Sequence, residues 1–224
     1  MSTRKAILLS LLTGCALSSY PHAHAFTDIK ANNPVNAAAQ YQHILHAATP
    51  IDAGAKDFVE KLANDGIGFL SDDSLSVDQR KVKFKKFLIK NFDMKTIGRF
   101  ALGRYWKSTS QKEQKEYLTL FEQMIVEVYS KRFSEYNGQS LEVLTARPEG
   151  KKDAIVSSVI VPDSGPKVRV DWRVRYKNNS YRVIDIIVEG VSMALTQRSD
   201  FASVIQRGGG KVEVLLAHLR VEDQ

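Results

Sequence analysis

The apolar residues of this chain change period at Asn137-Gly138. Upstream they recur every three or four residues, the spacing of amphipathic helices; downstream they alternate, the spacing of strands with one buried face. A run of helices followed by a run of strands is the pattern of an α+β domain, in which helices cover an antiparallel sheet. The pivotal stretch is Asp93 to Tyr136 (DMKTIGRFALGRYWKSTSQKEQKEYLTLFEQMIVEVYSKRFSEY). Gly98 and Gly103 are expected to break its first part into short pieces. Ser110-Gln111-Lys112-Glu113 then has capping-box spacing, a hydroxyl for the N3 amide and a carboxylate reaching back. From there Tyr117, Leu118, Phe121, Met124, Ile125, Val128, Tyr129, Phe133 and Tyr136 hold helical steps. They predict one helix of about 26 residues, roughly 39 Å long.

Two further helices are expected before this stretch. One covers Ala55 to Leu70, with Phe58, Leu62, Ile67 and Phe69 on its apolar side. The next is capped by a second box, Ser76 to Gln79, and carries Val82, Phe84, Phe87, Leu88 and Phe92 among Lys81, Lys83, Lys85, Lys86 and Lys90. Such a lysine run reads first as a solvated face. After Gly138 four strands are expected, at Leu141–Thr145, Asp153–Val161, Lys167–Tyr176 and Tyr181–Glu189, joined by short turns into an antiparallel meander. In the third, Val168, Val170, Trp172, Val174 and Tyr176 point one way, and Arg169, Asp171, Arg173 and Arg175 the other. Asn178-Asn179 is its hairpin turn. The fourth is apolar on both faces, Tyr181, Val183, Asp185 and Ile187 on one and Ile184, Ile186 and Val188 on the other, so it should be covered on both sides. A helix capped by Ser199 and running through Gln206, the Gly208–Gly210 loop, and a last helix carrying Val212, Leu215, Leu216 and Leu219 complete the chain.

The first 25 residues have the build of a cleavable export signal: Arg4 and Lys5, a short apolar run from Ala6, and a small-residue site at Ala23-His24-Ala25. The run is well short of the ~20 residues that span a bilayer. Leu12-Thr13-Gly14-Cys15 also resembles a lipobox, and cleavage before Cys15 would leave an anchored lipoprotein. Cys15 is the single cysteine, so a chain cut after Ala25 has no disulfide, cysteine nucleophile or thiolate metal site. Residues 26 to 53 read as a polar tether, and the spacing of His43 and His46 lacks a third ligand nearby. The formal charge is +7. That is modestly basic, suiting an anionic membrane surface or an acidic partner, without the clustered stripe of a nucleic-acid binder.

Catalysis finds little support. No metal-ligand cluster, nucleophile elbow or phosphate loop is present, and His43, His46 and His218 lie in the tether or the last helix. Asp185 sits amid Tyr181, Val183 and Ile187. It reads as a carboxylate paired with an arginine or a backbone donor; the competing reading is a buried general base with a raised pKa. The positive signal is apolar: a curved sheet with an aliphatic and Trp face opposite helices rich in Phe, Tyr, Leu and Met. If the layers close, they are a core; if they stay apart, they enclose a cavity suited to acyl chains.

Three stretches resemble one family. Phe92–Ser110 (FDMKTIGRFALGRYWKSTS), the end of the long helix (VYSKRFSEY) and Asp185–Gly210 (DIIVEGVSMALTQRSDFASVIQRGGG) are similar to the MlaC, or toluene-tolerance, proteins. LGRYW at Leu102–Trp106 and EGVS at Glu189–Ser192, with Arg198 and Phe201, are the most specific pieces. The resemblance covers about Ala55 to Arg220, so 54–224 is expected to be an MlaC-like lipid-binding domain. It implies a twisted, cone-like, four-stranded antiparallel sheet wrapped by helices, with an apolar cavity between the layers. It also implies a non-enzymatic, soluble periplasmic carrier that shuttles phospholipid between an outer-membrane lipoprotein complex and the lipid-binding ring of an inner-membrane ABC transporter, with no cofactor and no nucleic acid. A branch associated with hopanoids keeps that lipid class open as cargo, and a structural adaptor is a third reading. The tether and Cys15 depart from the family pattern. The expected lining is Val170, Trp172, Val174, Ile184, Ile186 and Val188 from the sheet and Tyr105, Phe121, Ile125 and Tyr129 from the helices, with Val191 and Met193 at the mouth.

Overall fold

A computed structural model describes residues 50–221. The export signal with Cys15, and the tether through residue 49 with His43 and His46, lie outside the described residues. Helices α1 (Pro50–Leu70), α2 (Val77–Asn91), α3 (Met94–Leu102) and α4 (Gln111–Ser130) come first. A five-stranded sheet follows: β1 (Ser140–Glu149), β2 (Asp153–Val161), β3 (Val168–Lys177), β4 (Ser180–Val188) and β5 (Val191–Ser192). Helices α5 (Met193–Arg207) and α6 (Val212–Val221) close the chain. The strands pair antiparallel in sequence order. The expected meander is present, with β5 as a short fifth strand.

Local chemistry sets several boundaries. Both capping boxes form: Ser76 and Ser110 accept from the Gln79 and Glu113 amides, and those side chains reach back. The β3–β4 hairpin turns through Asn178 and Asn179, both at positive φ (52° and 56°), as a type I′ turn requires. Several boundaries differ from expectation, and β1 runs on to Glu149, past its expected end at Thr145. Helix α1 starts at Pro50, a favoured first helical residue, and so takes in residues 50–53 of the expected tether. Helix α4 stops at Ser130, whose hydroxyl donates to the Glu127 carbonyl, and a 3-10 turn at Phe133–Glu135 swings Phe133 against Phe84 and Phe69. Gly98 lies inside α3 and does not break it; a Cβ there would stand 2.9 Å from Leu118 Cδ2 and 3.1 Å from Phe121, so glycine lets α3 and α4 approach. Helix α5 is capped by Ser192, and Ser199 lies in its interior, bonding back to the Leu195 carbonyl.

Strand β4 departs from simple alternation. The ladder pairs Arg173 with Asp185 but Val174 with Val183, leaving Ile184 as the extra residue of a β-bulge. Val183 therefore joins Ile186 and Val188 on the face shared with Val170, Trp172 and Val174, while Asp185 and Ile187 take the other. Val183 thus leaves the expected grouping with Asp185 and Ile187, and Ile184, buried at the bulge, is not a member of the cluster that holds Ile186 and Val188. A second bulge lies between Val143 and Thr145 of β1. Bulges increase local twist, and these two curve the sheet.

The opposite face carries a charged lattice. Asp153, nearly buried, accepts from Arg175 at 2.7 and 2.8 Å and lies 3.2 Å from Arg173. Burial disfavours its charge, but the Arg175 hydrogen bonds and the two guanidinium charges outweigh it, leaving the carboxyl below its usual range. A depressed folded-state pKa stabilises the fold above the unfolded value near 4, and that contribution is lost as pH falls through the folded value. We expect Asp153→Ala to cost about 2 kcal/mol at pH 7, the loss of charge-assisted hydrogen bonds to two arginines that water can still reach. Urea denaturation should also show a smaller acid-induced loss of stability in the variant than in the native chain.

Candidate functional site

Two apolar clusters divide the interior. The first lies between the sheet and α1–α2. Its buried members include Ala55, Val59 and Leu62 of α1, Leu88 of α2, Phe92, Val126, and the sheet face of Ala154, Val156, Val170, Trp172, Val174, Val183 and Val188. Trp172 is fixed there, its indole N–H donating to Ser158 Oγ at 2.9 Å while Ser158 donates to the Val170 carbonyl at 2.8 Å. The second cluster is wholly helical, from Ala101, Tyr117, Phe121 and Met124 to Phe201, Ile205, Leu215 and Leu219. Ile125, Met94 and Ile97 touch both.

Each cluster has a buried centre and a partly buried ring. In the helical one Tyr117 and Phe121 are 0% and 1% exposed, with Phe201 edge-on to both rings. The Tyr117 hydroxyl donates to the Gly98 carbonyl at 2.9 Å, and burial pushes its pKa up, so it stays a proton donor. The sheet-side cluster is ringed by large apolar side chains that are only half-buried: Phe58, Phe84, Phe87, Ile125, Ile186 and Met193. Phe69, Phe84, Phe87 and Phe133 form an aromatic rim, with ring centroids 5.2 to 6.5 Å apart. A ring of half-buried Phe and Ile around a valine-and-tryptophan face has the composition of a ligand-chamber wall.

The structure brings Val170, Trp172, Val174, Ile186 and Val188 together on the sheet face of the first cluster, with Met193 and Ile125 against it. Phe121 is in the helical cluster and Tyr105 packs on it. Ile184, at the bulge, and half-buried Tyr129 belong to neither cluster, and Val191 is 54% exposed. Phe58, Phe84 and Phe87 were legible in the sequence as helix apolar positions but not as lining. The missing signal was partial exposure, which periodicity does not carry.

The two family-like motifs are structural corners. LGRYW joins α3 to α4: Leu102 is buried, and the Tyr105 and Trp106 carbonyls accept from Thr109 and Gln114. Gly103 takes φ +60°, and a Cβ there would sit 2.8 Å from Arg198 Nε, whose guanidinium lies over Phe100. Gly103→Ala is expected to lower stability by about 2 kcal/mol, the usual cost of a side chain in glycine-only backbone space, read by chemical denaturation. In EGVS, Glu189 (φ 48°) and Gly190 (φ 82°) turn β4 into β5, and Ser192 caps α5. Asp185 accepts from the Ser192 hydroxyl at 2.6 Å and the Ala194 amide at 3.0 Å. Both oxygens thus anchor the α5 N-terminus, the backbone-donor role expected for this carboxylate. Among the described residues no group of three His, Cys, Asp or Glu could hold a metal, and no helix is long and apolar enough to cross a membrane.

Known proteins share this build. A family model described as MlaC protein matches residues 60–221. The chain is 20% identical over 148 residues to the intermembrane phospholipid transport system binding protein MlaC of Haemophilus influenzae, covering 60% of this chain and 69% of that one. It is 22% identical over 110 residues to the toluene tolerance protein ttg2D of Pseudomonas putida, covering 49% and 51% of the two chains. Among solved structures, the phospholipid-binding protein of Ralstonia solanacearum in complex with a phospholipid superposes with a TM-score of 0.67 at 22% identity, covering 75% of this chain and 96% of that one.

Proposed function

The chain belongs to the MlaC family, and from that premise we propose that it is a non-enzymatic phospholipid carrier. Its acyl chains lie between the sheet and α1–α2, against Val170, Trp172, Val174, Ile186 and Val188, with Ile125, Phe84 and Phe87 opposite. The observation that carries this is the sheet-side cluster itself, where a valine-and-tryptophan sheet face meets partly buried Phe, Ile and Met side chains from the helices and from Met193. The helical cluster also has a partly buried ring, Trp106 and Leu118 among it, but no sheet face. Relatives named for phospholipid transport and phospholipid binding support the choice of cargo.

Energetics bear on how such a carrier works. Two chains of together about 30 methylenes at ~0.8 kcal/mol each give a gross term near 24 kcal/mol. That exceeds attainable affinities, so the lipid's own burial in a membrane must offset most of it. Exchange is then nearly balanced, and direction comes from partners that load and unload. We place the carrier in the periplasm, exported through residues 1–25, between an outer-membrane lipoprotein complex and an inner-membrane ABC transporter ring. Mass spectrometry of an organic extract of the purified protein checks the function. About one phospholipid per chain is expected; no lipid, together with a turnover abolished by Asp185→Asn, would favour the enzyme reading instead.

A further inference from the structure

Where α3 and the 3-10 turn Gly103–Lys107 meet α5, three arginines lie on aromatic rings. Arg198 of α5 lies over Phe100 of α3, 5.2 Å from guanidinium carbon to ring centroid. Arg99 lies over Trp106 at 5.8 Å and Arg104 over Tyr105 at 5.0 Å. All three arginines are exposed, and none of them forms an ion pair among the described residues. The surrounding chain offers them no counter-charge: Met94 to Lys112 carries five Lys and Arg and no Asp or Glu. The lysines of α2 differ, since Lys81, Lys83 and Lys85 meet Glu127, Asp72 and Glu122.

Apolar surface lies between these cations. Phe100 is 42% exposed, the one aromatic among the exposed large apolar side chains of the described residues. Leu195, 53% exposed, stands three residues before Arg198 on the same side of α5. The platform beneath is fixed: Ala101 and Leu102 are buried in the helical cluster, and Tyr105 and Trp106 pack on it.

Stacking and ion pairing use different parts of a guanidinium. Its π-face rests on a ring, while its N–H donors lie in the plane, in a fork that a carboxylate fills with two parallel bonds. Exposed aromatic and arginine side chains together are the composition of the energetic centre of a protein interface. A bilayer fits less well, because Phe100 enters hydrocarbon only by drawing the Arg198 charge in with it. An acidic protein segment satisfies both parts, its carboxylates on the arginines and an aliphatic side chain on Phe100 and Leu195.

We propose that this corner docks an acidic segment of a partner protein, with carboxylates forked onto Arg99, Arg104 and Arg198. The proposal does not rest on the carrier reading, since none of these residues belongs to the sheet-side cluster.

Arg99→Gln/Arg104→Gln/Arg198→Gln removes the charges, and the corresponding triple Lys variant keeps them without the planar fork. Lys86→Gln/Lys90→Gln/Lys151→Gln repeats the charge change at exposed residues outside the corner. A random-peptide phage library would be panned on the native chain, and the selected peptides measured against each variant by fluorescence polarisation. Phosphatidylcholine vesicles with and without phosphatidylglycerol would be sedimented with the same proteins. The selected pool should be rich in Asp and Glu beside Leu, Ile or Phe. Its peptides should bind the Gln variant about tenfold and the Lys variant about threefold more weakly than native chain, and the lysine control within about twofold, with melting temperatures close to native. No selected peptide, a pool without acidic bias, or equal binding to the native chain and both arginine variants would overturn the docking surface. Vesicle binding that needs phosphatidylglycerol and is lost in the Gln variant but kept in the Lys variant would overturn it in favour of a bilayer contact. Lipid carriage is read separately, by the lipid extract of the native chain.

Discussion

Phe121→Ala is expected to destabilise the fold by about 4 kcal/mol, within the range for a buried aromatic truncated in a close-packed core. Its ring is 1% exposed, stacks on Tyr117 at 5.9 Å and meets Phe201 at 6.2 Å. Gly98 leaves its wall open for that ring, so no neighbour is poised to refill the gap. The loss corresponds to a fall in melting temperature of roughly 10 °C for a domain of this size. Calorimetry of the native and variant chains checks the size. At a temperature where both are folded, lipid content should be the same, because Phe121 is buried in the helical cluster. A variant that melts normally but loses lipid would move Phe121 to the chamber wall.

The second large effect is on cargo. Ile186 sits opposite Trp172 in the β3–β4 ladder, half-buried on the chamber face. In the proposed carrier, Ile186→Asp places a carboxylate where the acyl chains run. The charge keeps solvent while the chamber is empty and loses it when lipid enters, at a cost of several kcal/mol. Lipid affinity should fall more than a hundredfold, equivalent to about 2.7 kcal/mol. Ile186→Ala removes contacts without adding charge and should weaken binding only a few-fold. Measured on delipidated protein with a fluorescent phospholipid, the two variants should differ by at least tenfold. Equal affinities would place Ile186 outside the path of the lipid.

Much of this architecture was legible because its causes are local. Ser76 and Ser110 carry their capping partners three residues away, Asn178-Asn179 specifies its own turn, and β3 alternates without interruption. The features that escaped have distant causes. The Ile184 bulge exists only in pairing with β3, and it moved Val183 onto the chamber face. The start of α5 is fixed by Asp185, seven residues before Ser192 and on another strand. The end of α4 follows from rings on α1 and α2 that receive Phe133. The same limit divided the candidate lining. Phe121 and Ile125 lie four apart on one helix with the same periodic signal, yet Phe121 is sealed among helices while Ile125 reaches both clusters. Which side of a helix a cavity occupies is decided by what packs there.

Whether the guest lies in the sheet-side chamber is tested most directly by intermolecular NOEs on methyl-labelled, otherwise deuterated protein reloaded with protonated phospholipid. Acyl methylene signals should contact the methyls of Val170, Val174, Ile186 and Ile125 and miss those of Ile205, Leu215 and Leu219. Contacts to the latter three, or none to the former four while lipid is bound, would contradict that placement.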